Sequence, residues 1–217
     1  MKTLTIDVVS DVVCPWCYVG KRRLEHALEL WSAQHPEITP QVHWHTFQLN
    51  PDMDPEGMSR ADYVQRKFGE DAHAIYERVA AVGREVGIAF AFDRISRQPN
   101  TVVAHSLIAM SEAGEQQNAM VEALFKAYFL DGRDLTQASV LIDIAESAGM
   151  PRAQAEQHLQ SSSLHRQTMD SDKAAREIGI TGVPFFIFNR QVGLSGAHEA
   201  QTLLQGMLEA INVATDS

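Results

Sequence analysis

Leu4, Ile6 and Val8 alternate with Thr5, Asp7 and Val9, the period-two pattern of a strand that begins by about Thr3. From Cys14 the period lengthens. Cys17, Leu24, Leu28 and Trp31 fall on one face of a 3.6-residue helix. Pro15 suits its first position and His35-Pro36 ends it, so the spacing predicts a helix over 15–34. A second strand is predicted from Gln41 to about Leu49. Val42, Trp44, Thr46 and Gln48 lie on one side of it, and His43, His45, Phe47 and Leu49 on the other. The resulting parallel βαβ unit is expected to be right-handed. The loop Asn50–Gly57, rich in Pro, Asp and Gly, marks where the chain leaves the sheet.

From Ser59 to Ser163 the pattern is helical throughout. Ser59 caps the first helix, Gly69-Glu70-Asp71 interrupts, and a second helix runs through Ile75, Val79 and Val82 to Gly87. Phe90 and Phe92 read as a short extended piece. Asn100-Thr101 caps a helix with Val103, Leu107 and Met110, and another carries Val121, Leu124, Phe125 and Tyr128. Thr136 caps a helix closed by Gly149, and Pro151 opens a short one to Leu159. A helix through Met169, Ala174 and Ile178 stops at Gly179. Thr181-Gly182-Val183-Pro184 turns into the apolar strand Phe185–Phe188, which forms a hairpin with Gln191–Leu194. A last helix holds Leu203, Leu204, Met207 and Ile211. The expected organisation is an α/β domain in two pieces, 1–55 and 164–217, carrying an inserted helical subdomain, 56–163. A stretch that long is not a loop.

Composition is that of an ordinary globular protein: 217 residues, 45% hydrophobic and 21% charged. With 28 acidic against 18 basic side chains the net charge is −10, which argues against a sequence-independent nucleic-acid surface. No signal-peptide pattern and no span-length apolar run are seen, so the expected partner is not a membrane and the expected location is the cytoplasm. There cellular thiols are kept reduced, and a lone cysteine pair is expected to be catalytic.

That pair is Cys14 and Cys17, in Asp11-Val12-Val13-Cys14-Pro15-Trp16-Cys17-Tyr18. Strand, C-x-x-C, helix is a redox context. Cys14 is expected at the helix N-cap, where unpaired N–H groups and the helix dipole favour a thiolate. Cys17 lies one turn on, on the buried stripe. The expectation is an exposed attacking thiol with a shielded resolving thiol behind it. A structural bridge across so short a loop would stabilise little. A zinc site would need more ligands than His43 and His45 supply. Lys21, Arg22 and Arg23 read as an exposed face.

The order of elements is that of a thioredoxin fold with an inserted helical subdomain. Three further stretches stand beside the C-x-x-C: Phe47-Gln48-Leu49-Asn50-Pro51, Pro99-Asn100-Thr101 with Ala104-His105, and Gly179-Ile180-Thr181-Gly182-Val183-Pro184-Phe185-Phe186. Together with Ser10–Arg22 they resemble the DsbA-type thiol–disulfide oxidoreductases, and within them the cytoplasmic FrnE-like group. The resemblance implies that Cys14 attacks and Cys17 resolves. It makes Pro184 a cis-proline facing the pair, and Val183 a backbone partner for an extended substrate. Pro15 and Trp16 complete the substrate-contacting set. It implies no tightly bound cofactor and no metal, a thiol- or disulfide-containing protein or small molecule as partner, and glutathione as a candidate electron partner. Oxidising relatives place Pro-His between the cysteines. Trp16 adds no positive charge, which implies a weaker oxidant. The runner-up is a glutathione-dependent isomerase or transferase of the kappa-class type. It resembles the chain around Asn50 and Pro99–Thr101 but typically carries Ser where Cys14 stands.

Four further residues are candidates for support: Asp11, Asn50, Asn100 and His105. Each has a plainer role open to it. Asp11 suits an Asx turn and Asn100 a helix cap, and a helical histidine is more often core or surface than catalytic.

Overall fold

The computed structural model describes residues 4–111 and 113–213. Thr3, the predicted strand start, lies outside them. Leu4–Ser10 forms β1 and Pro40–Thr46 forms β2, joined by helix α1, Pro15–Gln34. Phe185–Phe188 (β5) and Val192–Ser195 (β6) form an antiparallel hairpin late in the chain. These four strands make one sheet in the order β2-β1-β5-β6. β1 pairs in parallel with β2, Val8 opposite Trp44, and antiparallel with β5, Val8 opposite Phe186.

Alternation along the strands divides the core in two. Ile6, Val8, Phe186 and Phe188 point into the large cluster beneath α1 and the last helix α9, Ala200–Val213. Val9 points the other way, into a small cluster with Phe47, Ala175 and Ile180, flanked by Phe185 and Ile187. On that side lies α8, Ser162–Glu177.

Between β2 and α8 the chain forms the helical insertion. A two-residue ladder pairs β3 (Met58–Ser59) with β4 (Arg97–Gln98). Helices α2 (Arg60–Phe68), α3 (Ala72–Glu85), α4 (Val102–Met110), α5 (Glu115–Phe129), α6 (Ala138–Ser147) and α7 (Arg152–Leu159) complete it. The insertion is fastened to α1 by aromatic stacking: Tyr18, directly after Cys17, lies 4.9 Å from Phe125 of α5 with the rings 17° apart.

Several expectations need correction. β2 ends at Thr46 rather than Leu49, because the Asp172 and Asp11 carboxylates accept the N–H groups of Gln48 and Leu49 in place of a ladder. Phe92 opens a 3-10 turn, not an extended piece, and the β3–β4 ladder is too short to leave a periodic trace. Gln137, not Thr136, is the cap of α6. Thr136 is held by Asp134 in the preceding turn. In α8 the buried face is Thr168, Asp172 and Ala175, while Met169 is exposed and Ile178, past the helix end, is 70% exposed. Lys21 is not on an exposed face. It is 2% exposed and pairs with Glu25 and with Glu122 of α5.

Phe125 is fully buried at the joint between the insertion and α1. Phe125→Ala is expected to lower the unfolding free energy by about 3–5 kcal/mol, the range for truncating a core aromatic. Urea denaturation measures it, and a loss below about 1 kcal/mol would mean that the stack does not carry the joint.

Candidate active site

Both cysteines lie where β1 hands over to α1. After Ser10 the chain makes one turn, closed by the Cys14 N–H donating to the Asp11 carbonyl at 3.0 Å. Cys14 takes the N-cap with extended backbone, φ −94° and ψ 111°, and Pro15 opens the helix. The Cys14 carbonyl accepts the Cys17 N–H at 3.0 Å, as a first helical turn requires. Both thiols are free.

The Cys14 thiol donates to the Val183 carbonyl, Sγ to O 3.6 Å, across 169 residues of sequence. The Val183–Pro184 peptide bond is cis. Pro184 is buried against α1 at Gly20. A Cβ on Gly20 would stand 3.0 Å from Pro184 Cγ and 3.2 Å from Phe186 Cζ. Gly20 therefore lets the helix close on Pro184 and on the strand it leads into.

The expected exposed attacking thiol is corrected here. Cys14 is only 4% exposed, because Val183 and its neighbours cover the N-cap from the far end of the chain. Cys17 is deeper still, at 1%. Burial pushes the Cys17 thiol well up, and the neighbouring Cys14 sulfur adds to the rise. The Ser10 side chain and the Asp11 backbone hydrogen-bond the thiol and pull part of it back. Pro15 and Trp16 are half-buried, Trp16 against the main core.

Asp11 is wholly buried. Its Oδ2 accepts the Leu49 N–H at 2.8 Å, and Oδ1 lies 3.2 Å from His105 Nε2 on α4. Cys14, Cys17, Val183, Pro184, Asp11 and His105 thus meet at one place. Asn50 and Asn100 are engaged elsewhere. Asn50 Nδ2 donates to the Tyr63 hydroxyl at 3.5 Å. Asn100 accepts the Val102 N–H at 3.0 Å and donates to the Met53 carbonyl at 2.6 Å, stapling the loop after β2 to the start of α4.

A second polar cluster backs the thiol helix. Lys21 and Arg22 of α1 meet Glu122 of α5, whose carboxylate also accepts the Tyr18 hydroxyl at 2.8 Å. Burial alone would raise the Glu122 carboxyl. Lys21, Tyr18 and Arg22 outweigh it and hold the group below the usual range. Burial and Glu122 push the Tyr18 phenol up, so it stays a donor. Asp7 and His45, 2.7 Å apart, form a separate, partly exposed pair on the face of the sheet that Val9 shares. Among the described residues no group of three or more His, Cys, Asp or Glu is placed to hold a metal ion, and no helix is long and apolar enough to cross a membrane.

Sequence reasoning did not single out Ser10 or Gly20, although both lie inside the quoted Ser10–Arg22 stretch. Gly20 was the findable one, since a glycine inside a helix often marks a close approach. Ser10 gives no such signal, because nothing in the pattern says which group a strand-end hydroxyl meets.

A thioredoxin-type sheet, a C-x-x-C at the N-terminus of its first helix and a helical insertion define the class. Residues 5–207 match the DSBA-like thioredoxin domain model, and the chain belongs to that family. Among solved structures it is similar to a probable DsbA oxidoreductase, SCO1869, from Streptomyces coelicolor. The TM-score is 0.84 at 26% identity, covering 95% of this chain and 89% of that one. It also resembles a 2-hydroxychromene-2-carboxylate isomerase in fold, with TM-score 0.70, 18% identity and 98% of each chain covered. A third likeness of fold is to the cytosolic disulfide reductase DsbM from Pseudomonas aeruginosa, solved with GSH. Its TM-score is 0.56 at 17% identity, with 98% of each chain covered.

The buried Cys17 thiol gives the dithiol form a pH signature. An unfolded cysteine loses its proton near about pH 8.5, while the folded Cys17 keeps it to higher pH. Above that point the folded state binds more protons than the unfolded one, so stability falls as pH rises. Thermal unfolding of the reduced protein between about pH 8 and pH 10 is expected to show a falling midpoint, and Cys17→Ser a shallower fall. Equal slopes in the two proteins would contradict the shift.

Proposed function

We propose that the chain is a thiol–disulfide oxidoreductase or isomerase acting through the Cys14-Pro15-Trp16-Cys17 dithiol. The observation that carries this reading is the arrangement at the N-cap of α1: Cys14 leads the helix against the Val183 carbonyl, and Cys17 is sealed behind it. The Cys14 thiolate attacks one sulfur of a substrate disulfide, and the other sulfur leaves as a thiolate that takes up a proton. Cys17 then loses its proton and attacks the Cys14 sulfur. The substrate's second sulfur leaves and is protonated, so the substrate gains two electrons and two protons as Cys14–Cys17 becomes a disulfide. Two glutathione molecules return the dithiol and leave as glutathione disulfide. With an oxidised partner the same steps run in reverse.

Pro15, Trp16, Val183 and Pro184 line the approach in this reading, with Val183 offering its main chain to an extended substrate. Substrates are thiol- or disulfide-containing proteins or small molecules. No tightly bound cofactor, metal, nucleic acid or membrane surface enters the scheme, and the proposed location is the cytoplasm. The thioredoxin-like domain is residues 1–55 and 164–217 and the inserted subdomain 56–163, the second boundary falling in the first turn of α8. The isomerase-like alternative is supported by likeness of fold. The intact pair of free thiols weighs against it, since a glutathione isomerase has no use for a resolving cysteine.

Cys17→Ser is expected to accumulate mixed disulfides through Cys14, and Cys14→Ser to trap none. Non-reducing electrophoresis with peptide mapping reads both. Equal trapping by the two variants would overturn the assignment of roles. Glutathione conjugation that survives Cys14→Ser, with no insulin reduction by the wild type, would favour the alternative.

A further inference from the structure

The insertion reaches the thiol turn at one buried point. His105, on α4, presents Nε2 to Asp11 Oδ1 at 3.2 Å, while Asp11 Oδ2 accepts the Leu49 N–H at 2.8 Å. Both residues are buried. A main-chain amide can only donate, so Oδ2 is fixed as an acceptor, and the contact between Oδ1 and Nε2 holds one proton. The main chain of the same Asp11 grips both cysteines. Its carbonyl accepts the Cys14 N–H at 3.0 Å, and its backbone hydrogen-bonds the Cys17 thiol. The charged and titratable groups around the carboxylate come from each packed element. They are Cys14 at the N-cap and Cys17 on α1, His105 on α4, Asp172 on α8, which holds the neighbouring Gln48 N–H and pairs with Arg176, and Tyr128 on α5, whose phenol is pushed up mainly by burial and in part by Tyr63, Tyr76 and Asp11. Beyond Tyr128 lies Arg60 of α2, which donates to the Tyr128 hydroxyl at 3.4 Å and also meets Gln98, itself bound by that hydroxyl. Away from water a carboxylate acts on its neighbours with little screening.

We propose that Asp11 and His105 are positioning residues that set the charge behind the dithiol, His105 acting through Asp11 alone. The proposal rests on the dithiol reading above. In this proposal an uncompensated negative charge on Asp11, buried beside the turn, opposes negative charge on the dithiol. The imidazole N–H on Oδ1 offsets that charge. The inserted subdomain thereby tunes the nucleophile through a residue that touches neither sulfur nor substrate. A carboxylate needed only to close a turn would use one oxygen on a main-chain N–H, as Oδ2 does with Leu49. The second oxygen is spent on a histidine 94 residues away.

The two residues must then act with opposite signs. Asp11→Asn keeps an acceptor for the Leu49 N–H and removes the charge. It is expected to speed Cys14 alkylation several-fold at mildly acidic pH, read by residue-resolved mass spectrometry, and to move the equilibrium with glutathione toward the dithiol by a similar factor. His105→Leu strips the carboxylate of its donor and is expected to shift both readings the other way. His105→Gln, which can place an amide N–H near the position of Nε2, is expected to restore the wild-type values. Shifts of the same sign in Asp11→Asn and His105→Leu, or a fall in thermal stability with neither reading moved, would overturn the inference and leave the dithiol reading standing. If His105→Leu does not fold, Asp11→Asn decides alone, and unchanged or slower alkylation refutes the proposal. A wild type that does not equilibrate with glutathione at all would remove the dithiol reading, and the inference with it.

Discussion

The helix that carries Cys17 lies so close to the sheet that any side chain at position 20 would force its neighbours to give way. A Cβ there would press on Pro184 and Phe186. That contact sets how closely α1 approaches β5, and the rest of the site follows from it. It brings the Val183 carbonyl to the Cys14 sulfur and closes the space over Cys17. Gly206 makes the equivalent approach of α9 to Phe188. Two helices thus seat on the inner face of β5 through glycines, and the strand's large aromatics fill what remains, as close packing demands.

The insertion holds the same helix from behind with buried charge. Lys21 gives up nearly all its hydration and recovers it from Glu25 and Glu122. Replacing such a cluster by well-packed apolar groups is often neutral or stabilising, while removing one partner costs about 3–5 kcal/mol. The cluster therefore says more about how α1 and α5 must meet than about net stability. The phenyl stack of Tyr18 on Phe125 supplies the apolar part of the same joint. Polar and apolar contacts specify one docking of the insertion on the first turns of the thiol helix.

Much of this was legible in the chain. The alternation from Leu4, the period change at Cys14 and the run Phe185–Phe188 mark β1, α1 and β5 because each reports local burial. What stayed hidden depends on partners far away in sequence. Lys21 looks like surface until Glu122 is opposite it. The buried face of α8 carries Thr168 and Asp172, and a polar residue facing inward cannot be told from one facing water until its partner, the Gln48 N–H, is known. Cys14 reads as exposed because its cover arrives from Val183. The site residues Asp11 and His105 could be named, but not joined.

The pairing of β1 with β5 spans about 180 residues of intervening chain, since Asp7 lies opposite Ile187. On a ribosome adding roughly 5–20 residues each second, the strand that covers the thiols follows them out by roughly ten seconds or more. Through that interval α1 can form, and can pack with β2, but Cys14 and Cys17 have no Val183 or Phe186 above them. The nascent chain thus carries two accessible thiols until the segment around Val183 and Phe186 has emerged and paired with β1. The redox state of the surroundings during translation, and not only afterwards, decides in which form the finished molecule starts its life.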